Sequence, residues 1–204
     1  MSIDPISLTV SLASLVVSAS VAWLTLWKPG RVRLVKPSLF AFTNRGDDGP
    51  KIFFRGLLYS TARRGITLES LFVRLRRGEA RQNFTFWACG EHGKLVRGCG
   101  LYVGHEGVAL DHHFLLPQDG GRFEFLAGQY ELEVCGTFLD HAAPAVLSRT
   151  SLQLSPEQAK ALEDPQRSVY FNWWPDSARY ESHVRAGPPR ELPEGTIGLL
   201  REKL

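Results

Sequence analysis

The distribution of hydrophobic positions along the chain changes character once, near residue 30. From Pro5 to Trp27 the sequence PISLTVSLASLVVSASVAWLTLW holds no charged side chain. A helix over this stretch spans about 34 Å, enough to cross a hydrocarbon core. Its serines and threonines are tolerable there because their hydroxyls bond back to helix carbonyls. Pro29-Gly30 stops the helix. Beyond it the apolar period becomes two, and short alternating runs recur between Gly, Pro, Asn and Asp clusters, the pattern of strands.

The alternation predicts strands at Arg31–Lys36, Ser38–Thr43, Lys51–Ser60, Thr67–Arg77, Gln82–Ala88, Gly107–Leu116, Arg122–Leu126, Gly128–Phe138 and Val146–Leu154. Within Thr67–Arg77, Leu71, Val73 and Leu75 are assigned to a core face, Arg74 and Arg76 to water. The clearest strand is Gly128–Phe138. Tyr130, Leu132, Val134, Gly136 and Phe138 fall on one face, with Glu131, Glu133, Cys135 and Thr137 on the other, as in a half-buried antiparallel strand. Arg122–Leu126 alternates in the same way, and Ala127-Gly128 supplies a short connection for a hairpin between them. One helix signature follows the anchor: Ser155, Pro156 and Gln158 at the cap, first and third positions, then Ala159–Leu162, ended by Asp164-Pro165. Ser168–Trp174 and Ala178–Arg185 read as strands or extended segments. Closely spaced strands without long helices between them argue for an antiparallel sandwich or barrel.

The layout, an uncharged anchor followed by Lys28-Pro29-Gly30 and a β-rich domain, resembles small bacterial membrane-anchored β-sandwich proteins, a group defined by architecture rather than by an activity. The alternation over Phe123–Phe138 looks like the closing hairpin of many immunoglobulin-like sandwiches. The expected fold is thus mainly β: an N-terminal transmembrane helix, then an antiparallel immunoglobulin-like β-sandwich with one short C-terminal helix. The chain divides into a flank (1–4), the transmembrane helix (5–27), a basic juxtamembrane linker (28–37), the β-rich domain (38–186) and a tail (187–204).

Length and composition fit this division. A chain of 204 residues accommodates one ordinary domain plus an anchor. With 44% hydrophobic and 22% charged residues, it lies far from the profile of a disordered chain. Cys89, Cys99 and Cys135 cannot all pair within one chain, which suits a reducing compartment. Charge supplies an orientation. Asp4 precedes the apolar stretch, whereas Lys28, Arg31, Arg33 and Lys36 follow it, so the positive-inside rule puts the β-domain in the cytoplasm of a single-pass inner (plasma) membrane protein with its N-terminus outside. Trp23 and Trp27 sit where indole rings prefer the headgroup layer. A cleaved signal peptide fits less well, because no basic residue precedes the apolar run and the run continues past Ser20-Val21-Ala22.

Candidate chemistry is sparse. Cys89, His92, Cys99 and His105 are weak candidates for a metal site, since no second tight Cys/His pair closes the set and strand alternation sends His112 and His113 to opposite faces. No nucleophile elbow, His-Glu-x-x-His or phosphate loop is present, so no catalytic residue and no cofactor is assigned. Residues 1–100 carry 15 Lys/Arg against 6 Asp/Glu, a net of +9, and residues 101–204 carry 9 against 15, a net of −6. Such an asymmetry favours association with an anionic bilayer surface, with a protein partner or between copies. Arg74, Arg76 and Arg77 are the candidate charge contacts, and Trp173 and Trp174 the candidate apolar ones. Nucleic acid is disfavoured, because no groove-reading helix or stacking pattern accompanies the arginines. The expected role is an anchored, non-catalytic interaction module on the cytoplasmic face. An exported envelope β-sandwich and a metal-dependent enzyme are the alternatives.

Overall fold

The computed structural model describes residues 4–23, 30–44, 49–91, 94–116, 123–139 and 141–186. Helix α1 (Pro5–Ala22) starts at Asp4, whose carboxylate accepts from the Ile6 N–H at 3.2 Å, with Pro5 in the first turn. The Thr9, Ser11 and Ser20 hydroxyls donate to the carbonyls of Pro5, Ser7 and Val16 at 2.7, 2.8 and 2.7 Å. These polar groups are therefore satisfied inside the helix. No residue of α1 is buried; Ile6 is 71% and Val17 62% exposed. Among the described residues α1 is the one helix long and apolar enough to cross a membrane. The last residues of the expected span, including Trp27, and Lys28 after it, lie outside the described residues.

The rest is built from strands β1 (Val32–Leu34), β2 (Leu39–Thr43), β3 (Lys51–Ser60), β4 (Ile66–Arg77), β5 (Ala80–Phe84), β6 (Phe86–Glu91), β7 (Lys94–Arg97), β8 (Leu101–Val103), β9 (Val108–Leu115), β10 (Gly128–Phe138), β11 (His141–Leu154), β12 (Arg167–Trp174) and β13 (Arg179–Ala186), with helix α2 (Pro156–Ala161) between β11 and β12. They form two antiparallel sheets. The first runs β13-β12-β2-β3-β9-β6-β7 with β1 beside β3, the second β11-β10-β4-β5 with β8 beside β4. One hydrophobic core draws on both: Phe42, Phe54 and Phe114 come from the first sheet, and Leu71, Val73 and Leu132 from the second. Phe42 is the meeting point, its ring 5.0 Å from Phe171 in its own sheet and 5.6 Å from Tyr130 in the other. Full burial of each such side chain contributes about 1.5–3 kcal/mol.

β3 and β10 have the bounds the alternation predicts, and the core face of β10 is the predicted one, with Tyr130, Leu132, Val134 and Phe138 buried. α2 carries its expected capping box: Gln158 N–H donates to Ser155 Oγ at 3.2 Å, and Ser155 N–H to Gln158 Oε1 at 3.0 Å. Two predicted strands differ. Gln82–Ala88 is not one strand, because β5 pairs with β4 in the second sheet and β6 with β9 in the first, so the chain changes sheets at Thr85. The change reverses the inward phase: Phe84 is fully buried, Phe86 is 40% exposed and Trp87 is buried. Residues 123–126 form no strand either. Phe125 instead plugs the core, stacked 4.6 Å from Phe42, and β10 takes β11 and β4 as its neighbours.

Candidate functional site

The juxtamembrane stretch is built into the first sheet. Arg31 N–H donates to Thr61 Oγ1 at 2.9 Å while its carbonyl accepts the Thr61 N–H at 3.0 Å, so the chain is clasped to the sheet from Arg31 onward. Gly30 permits this approach, since a Cβ there would lie 2.7 Å from the Ala62 Cβ. Val32 and Leu34 point inward and are buried; Arg31 and Arg33 alternate outward and are exposed. Neither guanidinium has a carboxylate partner among the described residues. Lys36 is placed differently, with Nζ 3.5 Å from the centre of the Trp173 ring.

β1 and β2 run in line along β3, β2 against Lys51–Arg55 and β1 against Leu58–Ser60. β12 extends the sheet beyond β2 only, so the far edge of β1 has no strand partner among the described residues. Between that edge and β11, the edge strand of the second sheet, a cleft of about 630 Å³ opens. Gly30–Arg33 form one wall, Ala143 and Ala145–Leu147 the other, and Ile66 and Phe138 the rest. Pro144 is tolerated in β11 because an edge strand can lack a donor.

Of the candidate arginines, Arg74 and Arg76 lie on the outer face of the second sheet, where register places Arg74 opposite Glu133 and Arg76 opposite Glu131 on β10, whereas Arg77 shares the parity of the core residues Val73 and Leu75. Arg74 Nη1 donates to Glu133 Oε2 at 2.8 Å, and Arg149 Nε on β11 to Glu133 Oε1 at 2.8 Å. Burial alone would raise the Glu133 carboxyl, but the hydrogen bonds from Arg74 and Arg149 outweigh it and hold the group below its ordinary range. Arg76 stands 3.8 Å from Glu131, half exposed, and Arg77 Nη1 donates to the Ala127 carbonyl at 3.2 Å. The face is a ladder of paired opposite charges rather than a cationic patch.

Trp173 and Trp174 are consecutive on β12 and therefore point to opposite faces. Trp173 turns toward the core side and packs 5.1 Å from Tyr180, whose hydroxyl donates to the Pro37 carbonyl at 2.6 Å. With Lys36 over its other contacts, this indole ties the start of the domain to its last hairpin. Trp174 is 48% exposed on the outer face. The same face carries an apolar strip that sequence reasoning missed: Ala41, Phe53 and Tyr170 are buried there, with His183 stacked 5.7 Å from Tyr170 and His113 4.8 Å from Phe53. Burial holds His113 at about 4. Beside it Arg55 grips Asp111 through two bonds of 2.6 and 2.8 Å, the hydrogen bond from Arg55 holding the Asp111 carboxyl below its ordinary range. The outward residues of β2, β3 and β12 alternate too weakly in polarity for this strip to show in the sequence.

The metal candidates are dispersed. Cys89 packs partly buried against the core, Cys99 is exposed, and His105 is exposed with Nδ1 3.0 Å from Glu106. His92 lies outside the described residues, among which no group of three His, Cys, Asp or Glu side chains converges as a metal site. None of Cys89, Cys99 and Cys135 forms a disulfide. His112 and His113 do face opposite sides of β9, and His112 is fully buried against Trp87. Compared with protein-family models and with curated protein sequences, the chain matches none.

Proposed function

We propose that this protein is a single-pass membrane-anchored interaction module, in which α1 confines a β-domain to the cytoplasmic face of the inner membrane and the domain binds a protein partner or a second copy of itself. The observation that carries the reading is the pairing of an uncharged helix, none of whose residues is buried, with a domain clasped from Arg31 onward. Only the residues between Trp23 and Gly30 separate the two, which limits the gap to about 25 Å even when fully extended. A domain on so short a tether stays beside the bilayer. The basic residues after α1 and three cysteines that form no disulfide support a cytoplasmic placement, the first through the positive-inside rule and the second through redox compartment. Two antiparallel sheets around one core support the finer reading of an immunoglobulin-like sandwich, a scaffold whose faces are available for recognition.

Trp174 is the exposed aromatic best placed to anchor a partner, with the charge ladder of Arg74, Arg76 and Glu131 setting register on the opposite sheet. Crosslinking in intact membranes followed by mass spectrometry tests the role, with Trp174→Ala beside the wild type. A specific crosslinked protein lost in the variant is the expected result; the same crosslinks in both samples, or none, would count against the reading. A C-terminal alkaline phosphatase fusion tests the placement: it is inactive if the domain is cytoplasmic and active if the domain is exported.

A further inference from the structure

We propose that the cleft between β1 and β11 holds an acyl chain of an anionic phospholipid, its phosphate bracketed by Arg31 and Arg33. This rests on the reading of α1 as a membrane span and names a ligand for the domain beside it. Three observations point the same way. The cleft is lined mainly by apolar groups, among them Val32, Ile66, Phe138, Ala145 and Leu147, and its volume of about 630 Å³ is that of a small-molecule site. Two cations stand on its wall without carboxylate partners among the described residues, two positions apart on one side of the backbone. That spacing is about 7 Å, which suits two donors to one phosphate.

Position selects the source of the ligand. Gly30, itself a lining residue, follows the expected end of the span by three residues, so the cleft wall begins about 10 Å of chain from the headgroup layer. Val146, which lines the cleft, is 41% exposed, and Leu139, next in the chain after the lining residue Phe138, is 66% exposed, apolar groups that suit a surface facing lipid rather than water. α1 does not fill the space, because none of its residues is buried. A lipid without a phosphate would leave both guanidinium groups unpaired, a zwitterionic phospholipid would bring its own ammonium against them, and a free phosphate would leave the apolar walls open; an anionic phospholipid satisfies both walls and cations.

The test uses the full chain reconstituted in phosphatidylcholine vesicles doped with either phosphatidylglycerol or phosphatidylcholine carrying a photoactivatable diazirine on the acyl chain. Labelled peptides are mapped by mass spectrometry. Labelling of residues 143–147 by the phosphatidylglycerol probe in preference to the phosphatidylcholine probe is expected. It should fall about thirtyfold in Arg31→Ala/Arg33→Ala, as the loss of two cations facing an anionic headgroup requires. Ala145→Trp, at an exposed position, should abolish it by filling the cleft while leaving the cations in place. Equal labelling by both probes, or labelling that survives Ala145→Trp, would overturn the inference. Labelling of α1 without the cleft would sink the inference and leave the anchor standing, whereas a chain labelled nowhere would remove both.

Discussion

Lowering the pH should destabilise this domain through His112 and His113, both held down to about 4 by burial, and the share of His112 can be separated. His112 is fully buried, and Trp87 Nε1–H donates to its Nδ1 at 3.2 Å. An indole N–H only donates, so Nδ1 accepts and the imidazole proton sits on Nε2, which has no partner among the described residues. Burial pushes the His112 pKa down to about 4, against the pull of Asp111 and with a small further push from His113. Protonating Nδ1 would also set two donors against each other. In the unfolded chain the same ring titrates near 6.5. Above that value it is neutral in both states and costs nothing. Between about 6.5 and 4 the unfolded chain takes up a proton that the folded one refuses, so stability falls as pH falls, levelling below about 4. From pH 8 to pH 4.5 the loss from His112 is about 2.5 kcal/mol, which moves a urea midpoint by about 1–2 M. Urea unfolding of the full chain in detergent, followed by tryptophan fluorescence, measures it. His112→Gln keeps an acceptor for Trp87 but cannot ionise, and the neighbouring His113 titrates in both proteins, so the difference between the two pH profiles isolates His112. Parallel profiles would refute the argument, whatever the absolute stability of the variant.

Other substitutions test separate parts of the structure. Arg74→Ala and Glu133→Gln, taken singly and together, should show a coupling of about 1 kcal/mol, because both side chains are mostly buried from solvent and Arg149 keeps Glu133 partly paired. Trp173→Ala should cost about 2–3 kcal/mol through lost packing on Tyr180 and Lys36, whereas Trp174→Ala should stay within about 0.5 kcal/mol; equal effects in denaturant titration would mean that the two indoles are not on opposite faces. Ser155→Ala removes one half of the α2 capping box and should lower stability by about 1 kcal/mol, measured the same way.

The sequence by itself determined what depends on local pattern. Absence of charge over Pro5–Ala22 made α1 legible, because a long apolar helix is a property of its own residues. Period-two alternation was enough for the bounds of β3 and β10, since each keeps one face toward a single core for its whole length. The Ser155-Pro156-Gln158 spacing made α2 legible, because a cap is satisfied within one turn. Tertiary structure decided what alternation cannot encode, namely which sheet a strand joins and what it meets there. The crossing at Thr85 turns one apparent strand into two, because the two sheets bury opposite parities of the chain in the same core. Arg74 and Arg76 of β4 read in the sequence as candidate charge contacts, whereas register sets them against Glu133 and Glu131 of β10, more than fifty residues away. The cleft exists only because β1 and β11, more than a hundred residues apart, are both edges at the same seam. Pairing energies between strands are non-local, so the partners, and every site made by partners, wait for the fold.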